Sequence, residues 1–254
     1  QGKFSFYAET DSTDASGSDF RVWIGGIDPN APVDITGPTV DVYIGDTNFV
    51  SGGITGPNPL GLIRLFDENG INAVGNGIGH DLMGALDGDW NQAFSLNSRY
   101  SSDAGTFQRG EATWPFENLE EGPHTFSVRA WDSYNNVSEG SVDFTVFLRD
   151  QLKLGALRIY PNPGMGPFHL DVEHNAQGDS VEAVWTVVTP DGQIVYHHVW
   201  EGRPSSAVLQ SVDWDGSDGQ GHLLPAGWYL ARVQVRRKTD GQIVQAAERV
   251  ILLH

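Results

Sequence analysis

A run of carboxylates between residues 213 and 221 has the residue types and spacing of a candidate calcium loop. Asp213, Asp215 and Asp218 stand two and three residues apart among glycines, and calcium is bound by oxygen-rich loops of this kind. A complete EF-hand loop also has a glutamate at its twelfth position, where this sequence has Leu224. Aspartates next to glycine also cap turns by accepting backbone N–H bonds. Both interpretations stay open, with turn capping favoured.

The same two interpretations apply to a second group of oxygen-bearing side chains in the first half of the chain, Asp132, Asn135, Asn136 and Glu139.

No other residues have the spacing of a catalytic or zinc site. The chain has no cysteine, which excludes thiolate ligands and a cysteine nucleophile. Its eight histidines do not form a His-Glu-x-x-His pattern, and His197 and His198 point to opposite faces of a regular strand. A Gly-x-Ser-x-Gly elbow is absent, and the glycine-rich stretch 75–79 does not match a phosphate loop. We therefore predict no catalytic residue, no cofactor, and no metal ligand beyond the calcium candidates.

Tryptophan is abundant enough to raise carbohydrate binding as an alternative. In β-sandwiches most tryptophans belong to cores or interfaces, although exposed ones form platforms for sugar rings. The eight are Trp23, Trp90, Trp114, Trp131, Trp185, Trp200, Trp214 and Trp228.

The charge of the chain is strongly negative and unevenly distributed. The net charge is −18, and residues 1–150 carry 22 acidic and 7 basic side chains against 11 and 8 in residues 151–254. An acidic surface repels phosphates and anionic lipids, which argues against nucleic-acid and bilayer binding. The longest apolar runs are only a few residues, far below the roughly 20 that span a bilayer.

The elements that must position these residues are predicted to be strands, giving an all-β chain of tandem immunoglobulin-like sandwiches. Glycine and proline together make up 44 of 254 residues, and apolar residues seldom recur at helical spacing. Short segments of alternating polarity occur instead, separated by Asp-Gly, Asn-Gly and Gly-Pro turns. In the first half they cover residues 40–45, 61–66, 80–86, 124–131 and 141–147.

We predict three regions along the chain. Residues 1–32 are the last strands of an upstream domain, at 3–8 and 20–25 with a loop at 9–19, followed by a proline-containing linker. Residues 33–150 form the first sandwich. Residues 151–254 form the second, with strands near 156–160, 167–174, 181–189, 193–200, 206–214, 227–237 and 243–253.

The second predicted sandwich, residues 151–254, contains an ordered series of short motifs. It begins with Tyr160-Pro161-Asn162-Pro163 and continues with Asp-Gly at 191–192, Trp-Asp-Gly at 214–216 and Ala-Gly-Trp-Tyr at 226–229. The Asp-Gly pairs allow the positive φ of hairpin turns, and the aromatics after Gly227 are predicted to fill the core. The series resembles FlgD-like immunoglobulin modules and the C-terminal sorting domains of type IX secretion cargo.

Segments of the first predicted sandwich, residues 33–150, extend that resemblance. Residues 49–55, 66–72, 75–82 and 130–139 are similar to the part that follows the peptidase domain in the PorU-type sortases, which are gingipain-like cysteine peptidases of the type IX secretion system. The resemblance covers nearly the whole chain. Because the chain has no cysteine, no catalytic residue of that family can be placed on it.

The resemblance implies a non-enzymatic docking role for these residues. In that family the C-terminal domain is retained and holds the sortase at the outer membrane, on the cell surface, against the barrel protein PorV in a complex with PorQ and PorZ. The parent removes cargo C-terminal signals and joins cargo to anionic lipopolysaccharide. We expect the docking surface within residues 156–254, around the closing strand 243–253. The alternatives are ordinary type IX cargo, such as a hydrolase or adhesin with a disposable sorting domain, and a carbohydrate-binding pair.

Overall fold

The computed structural model of the protein describes residues 2–10, 13–22, 33–73, 79–209 and 212–253. The chain separates into two compact units, Gln1–Asp34 and Ile35–His254. The first unit contains an antiparallel hairpin of β1 (Gly2–Thr10) and β2 (Thr13–Val22). The predicted loop at 9–19 is therefore wrong, because polar residues such as Ser16 and Ser18 pair through the backbone, which needs no apolar alternation. Residues 23–25 and most of the predicted linker lie outside the described residues.

The second unit begins with a sandwich of two sheets. Its strands are β3 (Thr39–Ile44), β4 (Gly53–Thr55), β5 (Leu60–Phe66), β6 (Met83–Leu86), β7 (Phe94–Ser95), β8 (Tyr100–Ser102), β9 (Arg109–Pro115), β10 (Gly122–Trp131) and β11 (Val137–Val146). Two short 3₁₀ turns occupy Trp90–Gln92 and Asn97–Arg99. One sheet has the order β3-β5-β9-β8 and the other β4-β11-β10-β6-β7. All pairs are antiparallel except β4 with β11.

The core of the first sandwich is aromatic and tightly packed. Phe126 and Phe144 are buried on neighbouring strands, and the ring of Phe126 meets that of Phe116 edge to face at 5.1 Å. Gly61 on the facing sheet allows this contact, because a Cβ there would lie 2.7 Å from the Phe126 ring. Alternate residues of each strand thus fill the space between the sheets.

A second sandwich follows in the same unit. Its strands are β12 (Leu154–Tyr160), β13 (Phe168–His174), β14 (Val181–Val188), β15 (Ile194–Gly202), β16 (Val212–Trp214), β17 (Gly227–Arg237) and β18 (Ile243–Leu252). The smaller sheet has the order β12-β13-β16, and the larger sheet has the order β15-β14-β17-β18. Both are antiparallel throughout.

Two fully buried tryptophans organise the core of the second sandwich. Trp185 lies on the larger sheet, and Trp214 on the smaller one stacks on Phe168 at 5.3 Å. The indole N–H of Trp214 donates to the carbonyl of Ser217 at 2.8 Å, which satisfies its buried polar atom. Tyr229 is also buried, whereas Trp228 is 49% exposed. The prediction that both aromatics fill the core is wrong, since successive strand residues face opposite sides of a sheet.

Polar side chains join the two sandwiches. The buried carboxylate of Glu173 on β13 pairs with Arg158 on β12 and accepts a bond from the backbone N–H of Ile54, in the first sandwich, at 3.2 Å. The side-chain amide of Gln177 donates to the hydroxyl of Thr55 and accepts the backbone N–H of Gly56. These bonds fix the second sandwich against the edge strand β4 of the first.

The all-β sandwich class predicted from the sequence is confirmed. Within the described residues, no helix is long and apolar enough to cross a membrane.

Candidate functional site

The outward face of the larger sheet in the second sandwich includes the closing strand, around which the sequence predicts the docking surface. On β17 the residues Tyr229, Ala231, Val233 and Val235 are buried, so the alternate residues point outwards. Register with β18 extends that face. We define the arginine face by six outward residues of these strands, Trp228, Leu230, Arg232, Ala247, Arg249 and Ile251.

Apolar side chains form one end of the arginine face. Trp228 lies directly across from Ile251, and such cross-strand pairs of aromatic and β-branched residues are mutually stabilising. Trp228 is 49% exposed, and Ile251 and Leu230 are partly exposed. Water therefore contacts a small apolar patch at the end of a rigid sheet.

Unpaired cations form the rest of the arginine face. Arg232 pairs with Ala247 and Leu230 with Arg249, so the two arginines are diagonal neighbours on adjacent strands, at a separation of about 7–8 Å. Both are exposed, and neither forms an ion pair with any residue that the structure describes. Arg236 continues the row on β17 opposite Glu182, without an ion pair within the described chain.

The free edge of the outer strand β18 is protected in two ways. The edge of β18 is capped by Asn162, whose side chain accepts the N–H of Ile251 at 3.0 Å and donates to the carbonyl of Arg249 at 2.7 Å. Asn162 belongs to the Tyr-Pro-Asn-Pro motif, which therefore closes the last strand. Glu248 lies on the inward side of β18 and is exposed, and a charge in that position opposes further strand pairing.

The predicted calcium residues are placed in separate hydrogen-bond networks. Asp213 pairs with His169 at 2.6 Å. Asp215 accepts the N–H of Ser217 at 2.9 Å, and Asp218 accepts the N–H groups of Gln220 and His222, both at 2.9 Å. The hydroxyl of Ser217, which donates to Asp215 at 2.5 Å, and the backbone N–H groups hold the pKa of the Asp215 carboxyl below its usual value, and the backbone N–H groups of His222 and Gln220 do the same for Asp218. The ligand atoms of the three aspartates are not gathered within 4.8 Å of one another.

The second group is organised around one buried aspartate. Asp132 accepts the N–H groups of Tyr134 and Asn136 at 2.8 and 2.7 Å, and its other oxygen accepts the side-chain amide of Asn136. Asn135 has a φ of 69°, a conformation that asparagine tolerates in tight turns. Glu139 instead pairs with Arg129 on the neighbouring strand. Asp132 therefore shapes the turn between β10 and β11.

The remaining chemical candidates do not converge. His197 and His198 are exposed on opposite sides of β15, as strand geometry predicts. The glycine-rich stretch falls mostly on residues 75–78, which lie outside the described residues.

Among the described tryptophans, Trp228 is the only exposed one. Trp185 and Trp214 are buried, Trp90, Trp114, Trp131 and Trp200 are partly buried, and Trp23 lies outside the described residues.

Sequence reasoning did not single out the arginine face, although the signal was present. The period-two alternation of strand 227–237 distinguishes its outward positions from its inward ones. What was missing was the neighbouring strand, because only the register with β18 brings Arg249 beside Arg232.

Comparison with known proteins gives structural similarities only. No protein-family model matches the chain, and no curated protein matches it significantly. The chain is similar to dimeric latent PorU from Porphyromonas gingivalis, with 26% identity, a TM-score of 0.46, and coverage of 99% of this chain and 24% of that one. It is also similar to fibronectin(III)-like modules of Clostridium thermocellum CbhA, with 11% identity, a TM-score of 0.30, and coverage of 84% and 94%. A third is Parabacteroides merdae β-glucuronidase, with 10% identity, a TM-score of 0.37, and coverage of 85% and 24%. The chain thus spans about a quarter of the PorU chain.

Proposed function

We propose that these residues are the non-catalytic C-terminal region of a type IX secretion sortase of the PorU kind. The second sandwich docks the parent peptidase to the barrel protein PorV, within an outer-membrane attachment complex that includes PorQ and PorZ at the cell surface. The parent cleaves cargo C-terminal signals and attaches cargo to anionic lipopolysaccharide. The order of motifs from residue 49 to residue 229 supports this assignment, and the lack of cysteine is consistent with a region that does not itself carry out the peptidase chemistry.

The observation that carries the docking role is the exposed apolar end of the arginine face. Trp228 and Ile251 lie side by side on a sheet that is buried on its other side. A rigid scaffold that presents an aromatic anchor next to arginines has the composition of a protein interface. The face also includes the closing strand, where the sequence predicts the docking surface.

The connection between the sandwiches supports retention of the second one over its removal as a disposable sorting label. Asn175 donates to the carbonyls of Leu148 and Gln151 at 3.2 and 2.8 Å, and Arg237 donates to that of Arg149 at 2.7 Å. Gln242 accepts the N–H of Leu152 at 2.8 Å. Proteases need a segment that can leave such contacts, so a backbone that these bonds hold at four of the five positions from 148 to 152 is a poor cleavage site.

Co-purification with the barrel protein tests the docking role. Tagged chain and PorV are combined in mild detergent, and we expect a complex that a Trp228→Ala, Ile251→Ala double variant weakens about tenfold or more. A matched control, Val50→Ala with Phe107→Ala, removes exposed apolar side chains from the first sandwich and leaves binding within about twofold. Absence of a complex with the unmodified chain, or equal loss in both variants, would contradict the proposal.

A further inference from the structure

The arginines of the second sandwich are arranged in a way that folding alone does not favour. Arg232 and Arg249 are diagonal neighbours on one exposed face and have no ion pair among the described residues. Like charges on diagonal neighbours are within reach of each other and repel, so the pair does not stabilise the sheet. Elsewhere on this sheet a cation does have a partner, since Lys238 pairs with Glu201. The arginine face therefore lacks counter-charges that the rest of the sheet supplies.

The surrounding charge makes this face distinctive. The chain as a whole carries −18, yet the outward side of β17 and β18 carries Arg232, Arg236 and Arg249. Among the described residues of the sheet, two carboxylates lie on the same side: Glu182 opposite Arg236, and Glu201, which pairs with Lys238. At physiological salt, charges more than about 8 Å apart are largely screened. A small group placed on the face is therefore attracted by the arginines and feels little of the distant acidic surface.

We propose that the arginine face binds an acidic segment of a partner protein, whose carboxylates pair with Arg232 and Arg249 while an apolar side chain packs on Trp228 and Ile251. Guanidinium groups bind carboxylates through two parallel hydrogen bonds. Arginine and tryptophan side by side are enriched at the centres of protein interfaces.

A short acidic segment of a protein can place its carboxylates within an area as small as the arginine face. A long polyanion would extend beyond the face and meet the acidic remainder of the chain, which repels it. The flat sheet with an aromatic at one end also favours a partner that has apolar side chains among its charges. This inference rests on the docking role proposed above and gives the chemistry of the surface that docks.

Titration of the isotope-labelled full chain with peptides tests the inference directly. The first peptide has glutamates at alternate positions around one central leucine, and the second has glutamines in their place. We expect the side-chain Nε–H signals of Arg232 and Arg249 and the amides of β17 and β18 to shift with the glutamate peptide only. Shifts of equal size with the glutamine peptide, or shifts confined to other surfaces, overturn the inference.

A charge-matched pair of variants guards against a general charge effect. Replacing Arg232, Arg236 and Arg249 by glutamine should weaken glutamate-peptide binding about tenfold or more. Replacing Arg64, Arg99 and Arg109 by glutamine changes the net charge equally in the first sandwich and should leave binding within about twofold. Equal losses in the two variants overturn the inference. A thermal transition and amide spectrum like those of the unmodified chain show that each variant is folded.

The unmodified chain and the variant with Arg232, Arg236 and Arg249 replaced by glutamine, called the face variant below, also test for other ligands of the arginine face. Tighter binding of dextran sulfate or of phosphatidylglycerol vesicles than of the glutamate peptide, lost in the face variant alone, assigns the face to a polyanion or a lipid surface and overturns the inference. If the unmodified chain is a dimer in sedimentation experiments and the face variant is a monomer, the face binds a second copy of the chain, and this overturns the inference. If PorV binds the unmodified chain and the face variant equally, the docking role stands and this inference fails. If PorV binds neither while the peptide binds as expected, the docking role fails and this inference stands.

Discussion

The two sandwiches share one architecture but differ in the length of their outer strands. Three of the outer strands of the first sandwich, β4, β7 and β8, contain only three, two and three residues. The larger sheet of the second ends in β15 and β18, with nine and ten residues. Short edge strands offer few free backbone groups to another protein. The first sandwich therefore leaves less strand edge open to pairing than the second, where Asn162 and Glu248 protect the edge of β18.

The sandwiches also differ in where they place ion pairs. In the first, Arg64 pairs with Glu111 at the surface, with both side chains about half exposed. In the second, Glu173 is 4% exposed where it pairs with Arg158, and this pair faces the first sandwich. Surface pairs contribute little to stability, whereas a buried pair is costly to break. The junction between the sandwiches therefore includes a buried ion pair, and removing only one of its two partners is expected to lower stability strongly.

The largest expected effect comes from breaking the buried pair. Glu173→Ala leaves Arg158 without its carboxylate and the N–H of Ile54 without its acceptor, so we expect a loss of about 3 kcal/mol in the free energy of unfolding. Urea denaturation followed by tryptophan fluorescence measures it. The matched change Glu111→Ala in the first sandwich should cost less than about 1 kcal/mol. Equal losses would remove the distinction between the two kinds of pair.

A second prediction concerns acid sensitivity, which should originate in the second sandwich. Burial lowers the pKa of His174 from 6.5 to about 4, because the charged imidazole loses its hydration. The folded state then binds fewer protons than the unfolded state between these values, so stability present above pH 6.5 is lost as the pH falls towards 4. The shift corresponds to about 3 kcal/mol.

Denaturation curves at several pH values from 4 to 7 test this expectation. In His174→Gln the amide oxygen can replace Nδ1 as the acceptor for the N–H of Ala176, which lies at 3.0 Å, but the side chain no longer titrates. The difference in stability between the two proteins should therefore change with pH by about 3 kcal/mol. A constant difference would show that His174 is not the origin of the acid sensitivity.

The strands of the second sandwich could be predicted from the sequence because their alternation is strong. The predicted strand 227–237 matches β17 at both ends, and its buried residues are apolar except for Arg237. Strand prediction failed for a run of buried apolar residues that does not form a strand. Residues 206–209 were included in a predicted strand, yet they lie before β16 and outside any strand, and Ala207 packs into the core of the first sandwich. Burial against a neighbouring sandwich is not visible in local periodicity.

Strands with small inward residues were missed for a related reason. The inward residues of β9 include Gly110 and Ala112, which give almost no hydrophobic alternation. Gly110 is required by close packing, since a Cβ would lie 2.4 Å from the carbonyl oxygen of Ser101. The candidate site was predictable only in part, because the outward positions of one strand follow from period two but the pairing of two strands does not.

The smallest effect should have the opposite pH dependence and belong to the first sandwich. His124 is partly buried, which alone lowers its pKa, but hydrogen bonds to the carbonyl of Glu120 at 2.9 Å and to Asp87 at 2.8 Å outweigh burial and raise it. The charged imidazole is therefore favoured in the folded state. Its contribution is fully present below pH 6.5 and is lost as the pH rises through the folded pKa.

Asp87→Asn isolates this contribution with little disturbance of the turn. Asparagine tolerates the φ of 53° at this position, and its oxygen can still accept the N–H of Thr125, which lies at 2.8 Å. Denaturation between pH 5.5 and 8.5 should show the unmodified protein losing less than about 1 kcal/mol relative to the variant as the pH rises. If the difference instead grew with pH, His124 would not be stabilised as a cation. The first sandwich would then lack the alkaline sensitivity that sets it apart from the acid-sensitive second one.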